Sequence, residues 1–314
     1  MHKLILLLLK INTLNKTLLA HFALFLANLI YAINYSFAKD VMPHFIMPSG
    51  FILLRVIGAV ILFSFGYLVF VKEKIDKKDL FRLALCGVFG VAINQLLFFE
   101  GLNLTTPINA AIVMTSNPIL VILLSFLIVK ESITTRKIFG ILLGLVGAAI
   151  LILKGGGVDF SSSNQTGNLF VLINATSYGL YLVIVKPMME KYNPLTVMFY
   201  VFSFGLLYVT PFGLSDLCSV SWDIIPNNIY LEIVFVVVCT TFVAYLCNSI
   251  ALRKLSPTTV SIYIYLQPIL ATVFAIFWGS DSLDSEKFLA AMFIFIGVYL
   301  VSVRRVKSRK DKLS

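Results

Sequence analysis

Charged residues make up only 13% of this 314-residue sequence, and histidine and cysteine are both rare. The histidines are scattered singly, and no two cysteines have C-x-x-C spacing. They are His2, His21, His44, Cys86, Cys218, Cys239 and Cys247. A zinc site or a Ser-His-Asp constellation therefore lacks its parts. We predict no catalytic residue, no metal site and no cofactor, which excludes soluble metalloenzymes.

Hydrophobic residues are abundant instead, at 59% of the chain, with a mean hydropathy of +0.96. Each apolar run is long enough to cross about 30 Å of hydrocarbon as a helix, and none shows the two-residue alternation of barrel strands. The sequence predicts an all-α integral membrane protein of ten transmembrane helices. The spans are expected near 18–38, 49–71, 80–101, 107–129, 136–153, 167–186, 194–214, 229–252, 257–279 and 286–303.

The basic residues fall mainly in every second connection between these spans. Most of the 25 lysines and arginines share one side with the two ends of the chain, and only Lys39, Lys154 and Lys287 fall on the other. This bias predicts that both termini are cytoplasmic in a multi-pass plasma membrane protein of bacterial type. The net charge of +10 is then a topology signal. We therefore expect the lipid bilayer as a partner and no nucleic acid.

The second half of the sequence repeats the first at an offset of 150 residues. Pro107 corresponds to Pro257, and Glu131 to Asp281. Because each half contains five predicted spans, equivalent helices must cross the bilayer in opposite directions, as in the inverted repeats of transporters. The expected parts are a cytoplasmic lead at 1–17, repeats at 18–154 and 167–303, a flexible outer linker at 155–166 and a basic cytoplasmic tail at 304–314.

Several motifs together resemble the EamA-type permeases of the drug/metabolite transporter superfamily, which carry two tandem domains. They are LLRVIGAV, GLNLTTPINAAIVMTSNPIL, KESITTRKIFGILLGLVGAAIL and ALRKLSPTTVSIYIYLQPIL. The resemblance implies a permease that exports amino acids or related metabolites. Relatives that handle phosphorylated sugars carry a basic residue in a central cavity, and we expect none at the middle of any span here. Phosphorylated substrates are therefore disfavoured.

Neutral polar and aromatic side chains inside the spans are the candidate solute-binding residues. The set consists of Tyr31, Asn34, Asn117, Tyr178, Tyr181, Tyr245, Asn248, Tyr263 and Gln267. Asn117 and Gln267 precede Pro118 and Pro268, where helix kinks are expected to expose polar backbone. The alternatives are kinks that bind nothing and tyrosines that serve helix contacts or the interfacial belt. As a set, the side chains suit a zwitterionic or aromatic metabolite.

Arg55, in the second span, is the other candidate. An unpaired charge inside the bilayer is costly, so Arg55 is expected to reach the interface, to tie neighbouring helices together or to contact the solute. Glu100 ends the third span on the same side. The two residues are predicted to form an ion pair, which would be an outer gate or a structural link.

The function that follows is a permease, an exporter of small polar or aromatic metabolites such as amino acids that works by alternating access. An integral membrane enzyme acting on a lipid-linked substrate is the alternative. It would need acids, histidines or cysteines clustered at one membrane face, which the connections do not supply. A receptor or scaffold would need large soluble loops. The sequence indicates no particular oligomeric state, solute or coupling ion.

Overall fold

The computed structural model describes residues 2–71, 73–154, 162–277 and 285–302, and these residues form ten helical rods without a strand. The first five are α1 (His2–Val41), α2 (Pro48–Gly66, then π-helical Tyr67–Val71), α3 (Lys77–Gly87, π-helical Val88–Ala92, Ile93–Leu104), α4 (Pro107–Met114 and Asn117–Val129) and α5 (Thr135–Lys154). The next five are α6 (Ser162–Lys191), α7 (Pro194–Cys218), α8 (Asn227–Phe235, π-helical Val236–Val243, Ala244–Lys254), α9 (Pro257–Ser261, 3₁₀-helical Ile262–Tyr265, Leu266–Phe277) and α10 (Ser285–Ser302).

Within the described residues, nine of these helices are long and apolar enough to cross a membrane. They confirm a multi-pass, all-helical protein. The 20-residue helix α5 covers the remaining predicted span, 136–153, and is not among the nine. The count of ten spans therefore stays a prediction.

Two predicted boundaries differ from the structure. The helix α6 begins at Ser162, inside the segment 155–166 that was expected to be a flexible linker, because polar residues there continue the helix of the span that follows. The helix α1 begins at His2, so the predicted lead and the first span form one continuous helix. Residues 155–161 and the predicted tail 304–314 lie outside the described residues.

Four helices begin with a proline in the first turn, at Pro48, Pro107, Pro194 and Pro257. Proline suits this position because its missing N–H group has no helical partner there in any case. The side chain before the proline caps three of these helices. Asn193 Oδ1 accepts a hydrogen bond from the backbone N–H of Leu195 at 3.0 Å, and Thr106 Oγ1 accepts one from the backbone N–H of Asn109 at 3.1 Å. Ser256 does the same for Thr259 at 3.3 Å.

The four most extensive helix contacts are those of α3 with α6, α2 with α7, α5 with α10 and α1 with α8. Glycines bring α5 and α10 together. A Cβ atom on Gly140 would lie 2.8 Å from the carbonyl oxygen of Gly297, and one on Gly297 would lie 2.5 Å from that of Gly140. Neither position has room for a side chain, as the small-residue spacing of Gly140, Gly144 and Gly147 predicts.

Large apolar side chains are exposed on the outer surface of the bundle, as expected where hydrocarbon is the solvent. Phe70, Leu127 and Leu231 are each more than two-thirds exposed, at 72%, 71% and 73%. Soluble monomers rarely expose so much contiguous apolar surface. Many polar side chains of the spans are instead buried inside the bundle, where they surround a cavity.

Candidate solute cavity

A cavity of about 100 Å³ lies at the centre of the bundle, where residues from both halves of the chain face one another. On the same measure, one water molecule needs about 10–15 Å³. Its walls come from α1–α4 in the first half and from α6, α8 and α9 in the second. The lining consists of Asn28, Tyr31, Asn34, Tyr35, Arg55, Asn94, Gln95, Phe98, Phe99, Met114, Asn174, Tyr178, Thr240, Tyr245, Asn248, Val260, Ile264 and Gln267.

Helical spacing explains why these side chains share one cavity. On α1, Asn28, Tyr31 and Asn34 follow one another at intervals of three residues, and Tyr35 lies beside them. Residues three or four positions apart lie on the same face of a helix. A single face of α1 therefore presents only amides and phenols to the centre of the bundle.

Four hydrogen bonds between cavity side chains connect helices of the two halves. In one of them the hydroxyl of Tyr245 donates to Asn94 Oδ1 at 3.2 Å. The amide of Gln95 donates to the hydroxyl of Tyr245 at 3.3 Å, joining α3 to α8. The amide of Asn248 donates to the hydroxyl of Tyr31 at 3.0 Å. The amide of Gln267 donates to Asn28 Oδ1 at 2.9 Å. All four bonds join neutral groups, so each contributes only about 0.5–1.5 kcal/mol and can be exchanged for a bond to solute or water.

Arg55 lies in the wall of this cavity and is only 2% exposed. Its Nε donates to Thr241 Oγ1 at 3.0 Å, and its Cζ lies 4.4 Å from the centre of the Phe99 ring. The hydroxyl of Thr241 donates in turn to the carbonyl of Val236 at 2.8 Å. The threonine hydroxyl is thereby oriented to accept from Nε, and the aromatic face supports the guanidinium plane.

Arg55 lies nearer the start than the middle of α2, and its side chain lines the central cavity. The structure corrects one expectation about this residue. It does not pair with Glu100, whose carboxylate accepts a hydrogen bond from Ser49 at 2.7 Å. The helix α3 directs residues 99 and 100 in different directions, so Phe99 contacts the guanidinium and Glu100 faces the start of α2.

Several buried polar atoms of the cavity have no hydrogen-bond partner within the described residues. They are Arg55 Nη1, Asn34 Oδ1, Gln95 Oε1, Asn174 Oδ1 and Thr240 Oγ1. A buried polar atom without a partner costs about 1–3 kcal/mol, more when it is charged. Five such atoms belong to side chains of one cavity wall, which makes this the most polar part of the described interior.

Six of the nine predicted solute-binding residues line the cavity, namely Tyr31, Asn34, Tyr178, Tyr245, Asn248 and Gln267. The other three lie outside it. Tyr181 is directed towards Met198, with 3.8 Å between hydroxyl and sulfur, and the hydroxyl of Tyr263 contacts His21 Nδ1 at 2.7 Å. The amide of Asn117, which is 0% exposed, donates to the carbonyl of Ala175 at 2.6 Å. These contacts are between helices, so the three residues act in helix association.

The two prolines lie just after interruptions of their helices. The helix α4 stops at Met114 and restarts at Asn117, one residue before Pro118. The helix α9 passes through the 3₁₀ segment Ile262–Tyr265 before Pro268. The hydroxyl of Tyr265 donates across this region to the carbonyl of Thr115 at 3.1 Å. The two interruptions therefore face each other beside the cavity.

The sequence analysis did not include Asn28, Asn94 and Gln95 among the candidate residues. For Asn28 and Gln95 the sequence does contain a pattern that predicts a place in the cavity. Asn28 precedes Tyr31 by three residues and so shares its face of α1. Gln95 lies 150 positions before Tyr245, so the two are equivalent in the repeat frame. Including the polar residue one turn before Tyr31, and comparing the two halves position by position, would have added Asn28 and Gln95 to the candidates.

The connections α2–α3, α4–α5, α6–α7 and α8–α9 meet at one end of the bundle, called here the basic end. The ammonium of Lys191 lies 2.6 Å from a carboxylate oxygen of Asp79 and also contacts Asp76, and it lowers the pKa of Asp76 below its usual value. Glu131 pairs with Lys137 at 2.7 Å and accepts from Thr258 at 3.0 Å. The Lys191–Asp79 and Glu131–Thr258 contacts join the two halves of the chain.

Other residues join helices at the opposite end. Thr105 donates to Asn168 at 2.8 Å, which links the end of α3 to α6. Within the described ranges, no three histidine, cysteine or acidic side chains lie together in the manner of a metal site. Among the described residues, the polar side chains around the central cavity are therefore the candidate site.

Comparison with known proteins gives consistent results. Relatives named as uncharacterized transporters occur in Clostridium kluyveri, with 29% identity over 77% of this chain and 78% of the relative, and in Archaeoglobus fulgidus, with 25% identity over 71% and 76%. A probable terminal-alkyne amino-acid exporter of Streptantibioticus cattleyicolor is 24% identical over 74% of this chain and 77% of its own length.

A solved crystal structure of a protein has the same fold, with a TM-score of 0.74 at 18% identity, and the match covers 92% of this chain and 98% of the other. The EamA-like transporter family matches this sequence twice in tandem, at residues 18–153 and 165–303. Together these two regions take in every described helix that lines the cavity. The chain belongs to the EamA-like transporter family.

Proposed function

We propose that this protein is a permease that exports small polar or aromatic metabolites, such as amino acids, by alternating access. The observation that carries the proposal is the central cavity, which both halves of the chain line with neutral amides, phenols and a single guanidinium. Such a cavity, concave and with a few polar groups between aromatic walls, is typical of a small-molecule site. Its position between tandem repeats is that of the solute site in transporters.

Contacts between equivalent residues support the inverted repeat that alternating access requires. Gln95 contacts Tyr245, and Thr115 contacts Tyr265, each pair separated by 150 positions. Two equivalent residues can touch only near the axis that relates the halves. The helix contacts also occur in equivalent pairs. In the repeat, α3 is equivalent to α8 and α6 to α1, and both α3 with α6 and α8 with α1 are in extensive contact. In this arrangement α5 also crosses the membrane, which brings the number of spans to ten, and it is the helix of the first half that is equivalent to α10.

The orientation is proposed from charge. The connections at the basic end, together with the two ends of the chain, carry most of the lysines and arginines, so we propose that this end and both termini face the cytoplasm. The direction of transport is proposed from one relative. A relative at 24% identity is named as a probable amino-acid exporter. Reporter fusions after Lys77 and Lys130 should therefore give cytoplasmic signals, and a fusion after Asp216 the external signal. The opposite pattern would contradict this orientation.

Flux through purified protein in liposomes tests the transport proposal. Vesicles loaded with unlabelled solute would be offered the same labelled solute from a panel of amino acids, nucleosides and small amines. We expect at least one neutral amino acid to accumulate by exchange above the level of protein-free vesicles. The matched control is protein with Tyr245→Leu, which removes a hydroxyl that bonds to both Gln95 and Asn94 in the cavity wall. Absence of flux for the whole panel would refute the proposal.

A further inference from the structure

A second cavity, with a volume of about 340 Å³, lies at the basic end of the bundle and shares no lining residue with the central one. It lies between α1, the start of α7 and the last turns of α8. Its volume is within the range of about 300–1,000 Å³ that small-molecule sites occupy. This cavity can therefore hold a ligand of its own.

The second cavity lies where three membrane-spanning segments end. The apolar stretches of α1 and α7 begin at Lys16 and Pro194, that of α8 ends at Lys254, and all three residues line the cavity. A span ends where hydrocarbon gives way to headgroups. At a helical rise of 1.5 Å per residue, Ile250 and Leu246 lie about 6 and 12 Å deeper along α8 than Lys254. The cavity therefore extends from the headgroup level into the hydrocarbon.

Three exposed basic side chains from two helices line this cavity, Lys16 on α1 and Arg253 and Lys254 in the last turn of α8. No acidic side chain is among the described residues of its wall. Cations in the last turn offset the dipole of α8, but Lys16 belongs to another helix. Like charges around one space repel one another, and an anion between them removes that repulsion. The wall is therefore complementary to a negative charge.

The acidic side chains described at the basic end bond to other groups. Asp79, Glu131 and Glu190 each pair with a lysine that is not part of the cavity wall, at 2.6, 2.7 and 2.9 Å. Glu73, at the edge of the cavity, accepts a hydrogen bond from the backbone N–H of Asn193 at 2.9 Å. An anion that balances the three basic side chains therefore comes from outside the described protein.

The deeper part of the wall is apolar and consists of Leu19, Leu195, Leu246 and Ile250. Leu19 and Ile250 are 58% and 37% exposed, so this part opens onto the outer surface of the bundle. A soluble anion makes no favourable contact with such a wall, whereas an acyl chain does. A basic pocket between spans, continued by an apolar surface, matches a lipid with an anionic headgroup.

We propose that this second cavity binds an anionic phospholipid, with the phosphate among Lys16, Arg253 and Lys254 and an acyl chain along Leu246 and Ile250. The guanidinium of Arg253 can donate two parallel hydrogen bonds to phosphate oxygens, and the two lysines act as point charges. The bound lipid contacts α1 of the first half and α8 of the second. The site is separate from the central cavity, so the assignment does not depend on the proposed transport function.

Thermal unfolding of the full-length protein in a non-ionic detergent tests the assignment. The probes are phosphatidylglycerol and phosphatidylcholine with identical acyl chains, glycerol 3-phosphate and inorganic phosphate. The concentration that gives half of the maximal rise in melting temperature is the apparent affinity of each probe. Phosphatidylglycerol should bind roughly ten- to one-hundredfold more tightly than phosphatidylcholine, because each basic residue near a membrane surface contributes about fivefold. The two phosphates without acyl chains should give no comparable rise.

Paired substitutions locate the effect. Lys16→Gln with Arg253→Gln should reduce the preference for phosphatidylglycerol by roughly ten- to thirtyfold, at about fivefold for each residue. Lys16→Arg with Arg253→Lys keeps both charges and should keep most of the preference. Lys77→Gln with Lys78→Gln is the matched control, because it removes two exposed charges from the same end outside the cavity. If the first pair is less stable than the parent without lipid, each single substitution gives the same test at about fivefold.

Three results would overturn the assignment. Equal affinity for the two lipids would mean that the cavity does not recognise an anionic headgroup. An equal loss of preference in the Lys77 and Lys78 control would mean that the overall charge of the basic end attracts the lipid. Stabilisation by inorganic phosphate at the concentrations that suffice for phosphatidylglycerol would mean a site for free phosphate. None of these results bears on flux through the central cavity, so the transport proposal is tested separately.

Discussion

At the scale of single residues, Asn117 and Gln267 show how equivalent positions in a repeat acquire different roles. Both precede a proline, but Gln267 lines the cavity and bonds to Asn28, whereas Asn117 is enclosed and bonds to the backbone of Ala175. Glutamine is longer by one methylene group. The chain before it is a 3₁₀ segment, while a turn precedes Asn117. Length and local backbone together decide which amide reaches the cavity.

Leucine substitutions at these two positions should separate the roles. Asn117→Leu leaves the buried carbonyl of Ala175 without its donor and should lower the stability of the folded protein by about 1–3 kcal/mol. Gln267→Leu should keep stability near that of the parent and weaken solute binding by roughly three- to tenfold, the effect of one neutral hydrogen bond. Thermal unfolding and solute titration of both variants measure the two effects. Equal changes in both variants would contradict this division.

The sequence predicted most of the polar residues of the cavity but not their bonding. The stripes on α1, α6 and α8 followed helical spacing, so Tyr31, Tyr178 and Tyr245 could be predicted to face inward. Tyr181 follows the same spacing on α6 and yet is directed at Met198, because the rotation of a helix within the bundle is set by its neighbours. The expected pairing of Arg55 with Glu100 was also wrong, since the two bond to other residues. A linear sequence does not show which aromatic ring will support a charge.

At the scale of helices, the interface between α5 and α10 depends on two glycines whose backbones touch. A Cβ on Gly297 would lie 2.5 Å from the Gly140 carbonyl oxygen and 2.8 Å from the Gly144 nitrogen, so the clash is with backbone and cannot be relieved by rotating a side chain. Gly179 on α6 differs, since a Cβ there would meet only side-chain ends, with Val121 nearest at 3.2 Å and Leu124 and Asn117 at 3.5 and 3.6 Å.

Gly297→Ala should therefore separate α10 from α5 and destabilise the protein by about 1–3 kcal/mol, the usual cost of overpacking. Gly179→Ala is the control and should cost much less, because the valine methyl group can shift. The melting temperature of each purified variant, together with its amount in the membrane, provides the measurement. If Gly297→Ala is as stable as Gly179→Ala, the close approach of the two helices is not required.

Helix positions were predictable because hydrophobic length and proline placement determine them. Each predicted span lies on a helix wherever the structure describes the chain, and Pro48, Pro107, Pro194 and Pro257 mark helix starts. The π-helical segments Val88–Ala92 and Val236–Val243 were not predicted, because their sequences are ordinary apolar runs. They occupy corresponding places in α3 and α8 and adjoin residues of the cavity. Their cause lies in packing against other helices, which the sequence does not state.

At the scale of the whole molecule, the two halves meet in the cavity and at both ends of the bundle. Alternating access requires that one end opens while the other closes, so contacts that join the halves must break in each cycle. At the basic end Glu131, between α4 and α5, accepts from Thr258 in the first turn of α9 at 3.0 Å. This bond crosses from one half of the chain to the other at that end.

Cross-linking this contact should stop transport. In Glu131→Cys with Thr258→Cys, a short bifunctional thiol reagent can join side chains that now touch, and the basic end can then no longer open. We expect exchange flux to fall in proportion to the cross-linked fraction and to recover after reduction of a cleavable reagent. Each single-cysteine variant is a control, because it retains the native cysteines, including the exposed Cys218. Full flux through completely cross-linked protein would mean that the halves stay together at this point and that the solute leaves the cavity by another route.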